Sequence, residues 1–150
     1  MKIYLGADHA GFKLKEAVKN YLKKEKHDIT DKGNTKLVMT DDYPDYAYKV
    51  AKAVAESKGK AMGILFCGSS HGICIAANKV KGIRAVAVAN ERDAKLTREH
   101  NDANVLCLSG WNTPPAKAKK IIRVWLKTEF TYEPRHVRRI KKILLIEQHE

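Results

Sequence analysis

"AMGILFCGSSHGICIAANK", residues 61–79, joins two kinds of structure through a short polar turn. Residues 61–66 are apolar without alternation, the pattern of a strand covered on both faces. Cys67 ends that run, Gly68-Ser69-Ser70-His71 are small or polar, and residues 72–79 read as a short helix. A fully buried strand that feeds a helix is part of a β-turn-α unit, and repeated units of this kind make a parallel sheet with helices on both faces.

The same alternation extends in both directions. Upstream, "KIYLGA" (2–7) is a strand pattern, and "GFKLKEAVKNYLKK" places Leu14, Ala17, Val18, Tyr21 and Leu22 on one helical face. "HDITDKG" (27–33) reads as a second strand, and "DDYPD" initiates a helix carried by "YAYKVAKAVAES" (46–57). Downstream, "IRAVAVA" (83–89) and "NVLCLSG" (104–110) are strand patterns separated by "ERDAKLTREHN"; "PPAKAKKIIRVWLKTEF" has a proline pair suited to a helix start, and a last helix runs over about 134–148. The predicted fold is a doubly wound, Rossmann-like, five-stranded parallel sheet in three αβα layers. It forms a single domain over residues 1–150, without linker or repeat. Ligands of such sheets bind beyond the carboxyl ends of the strands. Asp8 and His9 sit at one such end, Cys67 at another, and residues 109–111 at a third; His100 precedes the last strand.

Composition narrows the function. The formal charge is +12, from 29 Lys and Arg against 17 Asp and Glu, which favours anionic partners. The basic residues fall at amphipathic helical spacing without interleaved aromatics, so nucleic acid is not an expected partner. No apolar run approaches a membrane span, and residues 1–8 hold no signal-peptide core, so a cytoplasmic location is expected. Three cysteines without paired spacing argue against disulfides and for a reducing compartment.

Two readings of Cys67 stand at this point. Backbone amides of the loop and the N-terminal end of the following helix would favour a thiolate, giving a base or nucleophile near neutral pH. A small buried hydrophobe is the other reading. Cys74 and Cys107 lie inside apolar segments and read as core. Cys67, His71 and Cys74 fall within eight residues, but their spacing is not a usual zinc pattern and no second paired motif supplies further ligands, so no metal is expected. His9 suits a ligand contact or a surface place. His100, followed by Asn101, suits a polar site or a cap. Arg135 and Arg139 share one helix face and would either grip a phosphate or form an exposed basic end.

Taken together, "GADHAGFKLKE", "DYPDYA", "GILFCGSSHGICIAANKVKGIRA", "REHNDANVL" and "RHVRRI" resemble the ribose-5-phosphate isomerase B family, which includes galactose-6-phosphate isomerase subunits. The likeness spans residues 2 to about 140. It implies an aldose-ketose isomerase of phosphorylated sugars acting through a cis-enediolate, with no metal and no organic cofactor. It also implies a homodimer or tetramer whose active sites are shared between subunits, the last helix packing on a partner. By resemblance, Cys67 is the base moving a proton between C1 and C2, and His100 opens the sugar ring. Ser69, at a position usually held by threonine or serine, joins the catalytic group. Asp8, His9, Tyr43 and Asn101 contact the sugar; Gly68, Ser70, His71 and Gly72 complete the amide cradle; Arg135 and Arg139 hold the phosphate.

Two positions depart from the family pattern. Ser70 and His71 replace a glycine and an aliphatic residue, and a positive φ at Ser70 would cost about 1 kcal/mol. Trp111 stands where a third phosphate-binding arginine is common. The expected substrate is ribose 5-phosphate and its ketose; allose 6-phosphate, galactose 6-phosphate, a tetrose phosphate, or a non-catalytic sugar-phosphate module remain alternatives.

Overall fold

The computed structural model describes residues 1–150. Five parallel strands lie in the order β2-β1-β3-β5-β4: β1 Lys2–Ala7, β2 Asp28–Asp31, β3 Ala61–Cys67, β4 Ala85–Ala87 and β5 Val105–Ser109. The helices are α1 Phe12–Lys24, α2 Tyr43–Glu56, α3 His71–Ala77, α4 Glu91–Asn101, α5 Pro115–Lys127 and α6 Pro134–His149. The predicted class and strand number are borne out.

Burial follows the sequence pattern. Every residue of β3 and β5 is buried, as runs covered on both faces require. One core layer packs Leu14, Val18 and Leu22 of α1 with Ile121, Ile122 and Trp125 of α5 against Ile3, Leu5, Ile64 and Leu106. The other sets Ala47, Val50, Ala51 and Val54 of α2, with Ile73 and Ala77 of α3, against Leu65, Val105 and Cys107. The small residues of α2 let that helix approach the sheet closely.

Some boundaries differ from the sequence reading. The helix expected from residue 46 starts at Tyr43, because Pro44 sits at its first turn, where a missing N–H costs nothing. The strand expected over 83–89 forms ladder bonds only over Ala85–Ala87; it is an edge strand paired on one side alone.

Winding reverses between β1 and β3, adjacent strands that lead to helices on opposite faces. Ala7 pairs with Phe66 in register, so the residues that follow them, Asp8 and Cys67, leave the sheet side by side.

Candidate active site

Three strand ends and one helix start build a single cleft. It encloses about 360 Å³ and is lined by Asp8, His9, Ala10, Tyr43, Cys67, Gly68, Ser69, Gly72 and Trp111. The loop after β5 straps it together: Gly110 N donates to Cys67 O at 2.8 Å, Trp111 N to Gly68 O at 3.2 Å, and Ser109 Oγ to Gly68 O at 2.6 Å. Tyr43, at the start of α2, lies against Gly72, where a Cβ would stand 2.5 Å from its ring; only glycine leaves room for the phenol at the cleft wall.

Cys67 is almost fully buried, yet it lines the cleft. Burial pushes its thiol up, while the amides of Ile73, Ser70 and Ser69, directed at the sulfur, pull it down; burial wins. The pull toward a thiolate that the loop and helix suggested is therefore outweighed by burial in this chain. The amide nest itself is present, and Asp8 beside it adds a further push against sulfur ionisation.

Asp8 is buried, and its Oδ1 accepts the Gly11 amide at 3.0 Å. Burial raises its carboxyl above the ordinary range despite that bond. His9 is raised chiefly by a hydrogen bond from its Nδ1 to Asp41 Oδ1 at 2.8 Å. Polar side-chain atoms of Asp8, His9 and Asp41 lie within 4.8 Å of one another.

Ser70 has φ +74° and ψ −13°, so the serine does occupy left-handed backbone. This turn aims the loop amides inward and starts α3. Ser69 Oγ accepts the His71 amide at 3.3 Å, and the His71 side chain is exposed. Ser70 and His71 border a neighbouring hollow with Ser69, Ser109 and Lys117 rather than the Cys67 cleft.

The remaining predicted residues lie elsewhere in the chain. His100, near the end of α4, stacks on His136 of α6 with ring centroids 4.4 Å apart and planes 17° apart. Asn101 is exposed beside it, and Arg135 and Arg139 are exposed on α6, Arg135 pairing with Glu133 at 3.1 Å. None of these four lines the Cys67 cleft. The chain thus carries two separate clusters, one around a thiol and one around stacked imidazoles with guanidinium groups on α6.

Residues 3–143 match the model of the ribose/galactose isomerase family. The chain belongs to that family. Ribose-5-phosphate isomerase B of Escherichia coli is 42% identical over 147 residues, covering 98% of this chain and 97% of the relative. Among solved structures, Clostridium thermocellum ribose-5-phosphate isomerase B aligns with TM-score 0.95 at 43% identity over 99% of both chains. The Mycoplasma genitalium enzyme with bound ribulose-5-phosphate aligns with TM-score 0.95 at 41% identity, over 99% of this chain and 97% of that one. The family resemblance drawn from the motifs is therefore borne out.

Two residues of this family member escaped the sequence reading. Asp41 stands behind His9, and Lys15, wholly buried in α1, holds the chain beyond β2 through Asp31 and the Asn34 carbonyl. Asp41 is 32 residues from His9, and no local spacing joins them. Lys15 occupies a position of the apolar face of α1, a signal visible in the sequence but outweighed by the many solvated lysines. No helix is long and apolar enough to cross a membrane.

Proposed function

We propose that this chain interconverts ribose 5-phosphate and ribulose 5-phosphate through a cis-enediolate, in the cytoplasm, without metal or organic cofactor. The observation that carries the reading is that Cys67 meets Asp8, His9, Tyr43 and the Gly68–Gly72 loop in one cleft at the switch between β1 and β3.

Taking the proton from C2 of the aldose puts negative charge on the C1 oxygen, and preorganised amides there are each worth about 10²–10³ in rate. Cys67 takes that proton as thiolate and returns it to C1, leaving the ketose. The Gly68–Gly72 amides hold the enediolate oxygens, and the Ser69 hydroxyl passes a proton between them. Asp8, His9 and Tyr43 orient the sugar hydroxyls.

His100, Asn101, Arg135 and Arg139 serve the cleft of a second subunit. They lie outside this chain's own Cys67 cleft, while α6 exposes Ile143 and Ile146 one turn apart, an apolar face suited to an isologous contact. From the partner, His100 protonates the ring oxygen and the two arginines grip the phosphate, remote from the reacting carbons. The family's dimer, rather than a higher assembly, is sufficient for this arrangement.

Two measurements test the reading. Purified protein should convert ribose 5-phosphate to its ketose with exchange of the C2 hydrogen into solvent; hydride retention would contradict the enediolate. Mixing inactive Cys67→Ala with inactive His100→Asn and allowing subunits to exchange should restore about a quarter of wild-type activity, since half of the dimers would then carry one intact site of two. No recovery from subunits shown to have exchanged would place the whole site in one chain.

A further inference from the structure

One carboxylate holds His9 twice. Asp41 Oδ1 accepts the His9 backbone amide at 2.8 Å and lies 2.8 Å from the ring Nδ1, while Oδ2 accepts Asn34 Nδ2 at 3.3 Å. The Asp41 side chain is only 6% exposed and that of His9 is 32% exposed, so the carboxylate stands behind the ring and the ring faces the cleft. Asp41 itself does not line the cleft, and no step of the isomerisation described above uses it.

A carboxylate has no proton to donate, so Nδ1 must be the donor and Nε2 is turned away from Asp41. An imidazole held in this way has a fixed tautomer and ring direction, and the adjacent negative charge favours its protonated form. The other groups around His9 are few. Asp8 favours the cation as Asp41 does, Lys13 shares a neighbouring hollow with His9 and opposes it, and Tyr43 and Cys67 face it across the cleft.

We propose that Asp41 is a positioning residue that fixes the His9 ring through Nδ1 and presents Nε2 to the phosphorylated sugar. This rests on the reading of the cleft as a sugar-phosphate site. When protonated, His9 supplies a cation from the Cys67 side of the site, at the end where Trp111 carries no charge.

The test combines imidazole NMR titration of the full-length protein with steady-state kinetics, using His9→Gln to assign the resonance. The wild-type His9 midpoint should lie above that of ordinary histidine, and Asp41→Asn should lower proton affinity about tenfold. With ribulose 5-phosphate at pH 7.5, where wild-type His9 is mostly protonated, D41N should raise KM about threefold and change kcat little. The KM gap should close below about pH 6, where His9 is protonated in both proteins. In a His9→Gln background D41N should cost nothing further, a result that damage to the fold would not produce.

A wild-type midpoint at or below ordinary histidine overturns the proposal whether or not the variant folds, and so does an undiminished D41N effect without His9. Wild type treated with EDTA that matched D41N would make Asp8, His9 and Asp41 a cation site instead. Absence of isomerase activity on any sugar phosphate would refute the function, while the titration would still decide the pairing.

Discussion

The Trp111 indole sits so close over Gly68 that a Cβ on that glycine would stand 2.5 Å from the ring. The same residue's amide donates to the Gly68 carbonyl at 3.2 Å, so backbone and side chain fold the β5 loop onto the Cys67 loop together. Yet the indole is 72% exposed. It is a wall of the cleft rather than part of the core, and it occupies space that a longer substrate would need.

Gly68→Ala should therefore harm function more than folding. The ring can swing into solvent, so stability should change by less than about 1 kcal/mol, while kcat/KM for ribose 5-phosphate should fall about tenfold or more as the displaced indole reshapes the cleft. In a Trp111→Ala background the same substitution should cost much less. Trp111→Ala alone should raise the kcat/KM ratio of six-carbon over five-carbon aldose phosphates by about tenfold, the range available to a change of pocket volume. An unchanged ratio would remove Trp111 from substrate selection.

Ser70 at φ +74° stores strain that glycine would not carry. Left-handed backbone costs a non-glycine residue about 1–2 kcal/mol, partly offset by the greater freedom that glycine gives the unfolded chain. Ser70→Gly should stabilise the protein by about 0.5–1 kcal/mol, seen as a small rise in the denaturant midpoint at constant slope. Ser70→Val, β-branched at the same φ, should destabilise it and lower activity by disturbing the amides aimed at Cys67.

Much of this was legible in the sequence, for reasons that differ between residues. The buried runs at 61–66 and 104–110 announce a parallel sheet, and the topology then brings Asp8, Cys67 and Trp111 to one edge without any structural input. The motif likeness adds Tyr43, which periodicity alone leaves at a helix start. Two things were not legible. The Asp41–His9 pairing depends on how the segment between β2 and α2 folds back over β1. The protonation of Cys67 depends on a balance between burial and amide donation, and the sequence raises both without weighing one against the other.

Lys15 is wholly buried in α1, with its Nζ 2.9 and 2.8 Å from the two Asp31 oxygens. Burial would raise Asp31, but hydrogen bonds from Lys15, Lys19 and the Gly33 amide outweigh it and hold the carboxyl below its ordinary range. Asp31→Asn leaves the buried Lys15 ammonium with only the Glu16 carboxylate, 3.6 Å away, as counter-ion and should cost about 3 kcal/mol at pH 7, read by urea denaturation. Because the folded carboxyl is depressed, its contribution is present above the ordinary aspartate value, about 3.9, and is lost as pH falls through the folded value. The stability gap between wild type and variant should therefore narrow below about pH 4. Lys15→Met, which removes the buried charge and leaves Lys19 on Asp31, should cost less than D31N.

With Cys67 as the proposed base, the pH dependence of the reaction should follow its thiol. Burial holds its thiol above the ordinary thiol value, so the thiolate fraction, and with it kcat for the proton transfer, should keep rising through the alkaline range instead of levelling near neutrality. Stability should move the other way. A raised folded pKa contributes below the unfolded value, about 8.5, and that contribution is lost as pH climbs through the folded one. Cys67→Ser does not ionise there and should lessen the alkaline loss of stability while abolishing turnover. Cys67→Ala should likewise be inactive with an intact far-ultraviolet circular dichroism spectrum. A wild-type kcat flat from pH 6 to 10, or measurable turnover in Cys67→Ala, would show that another group moves the C2 proton.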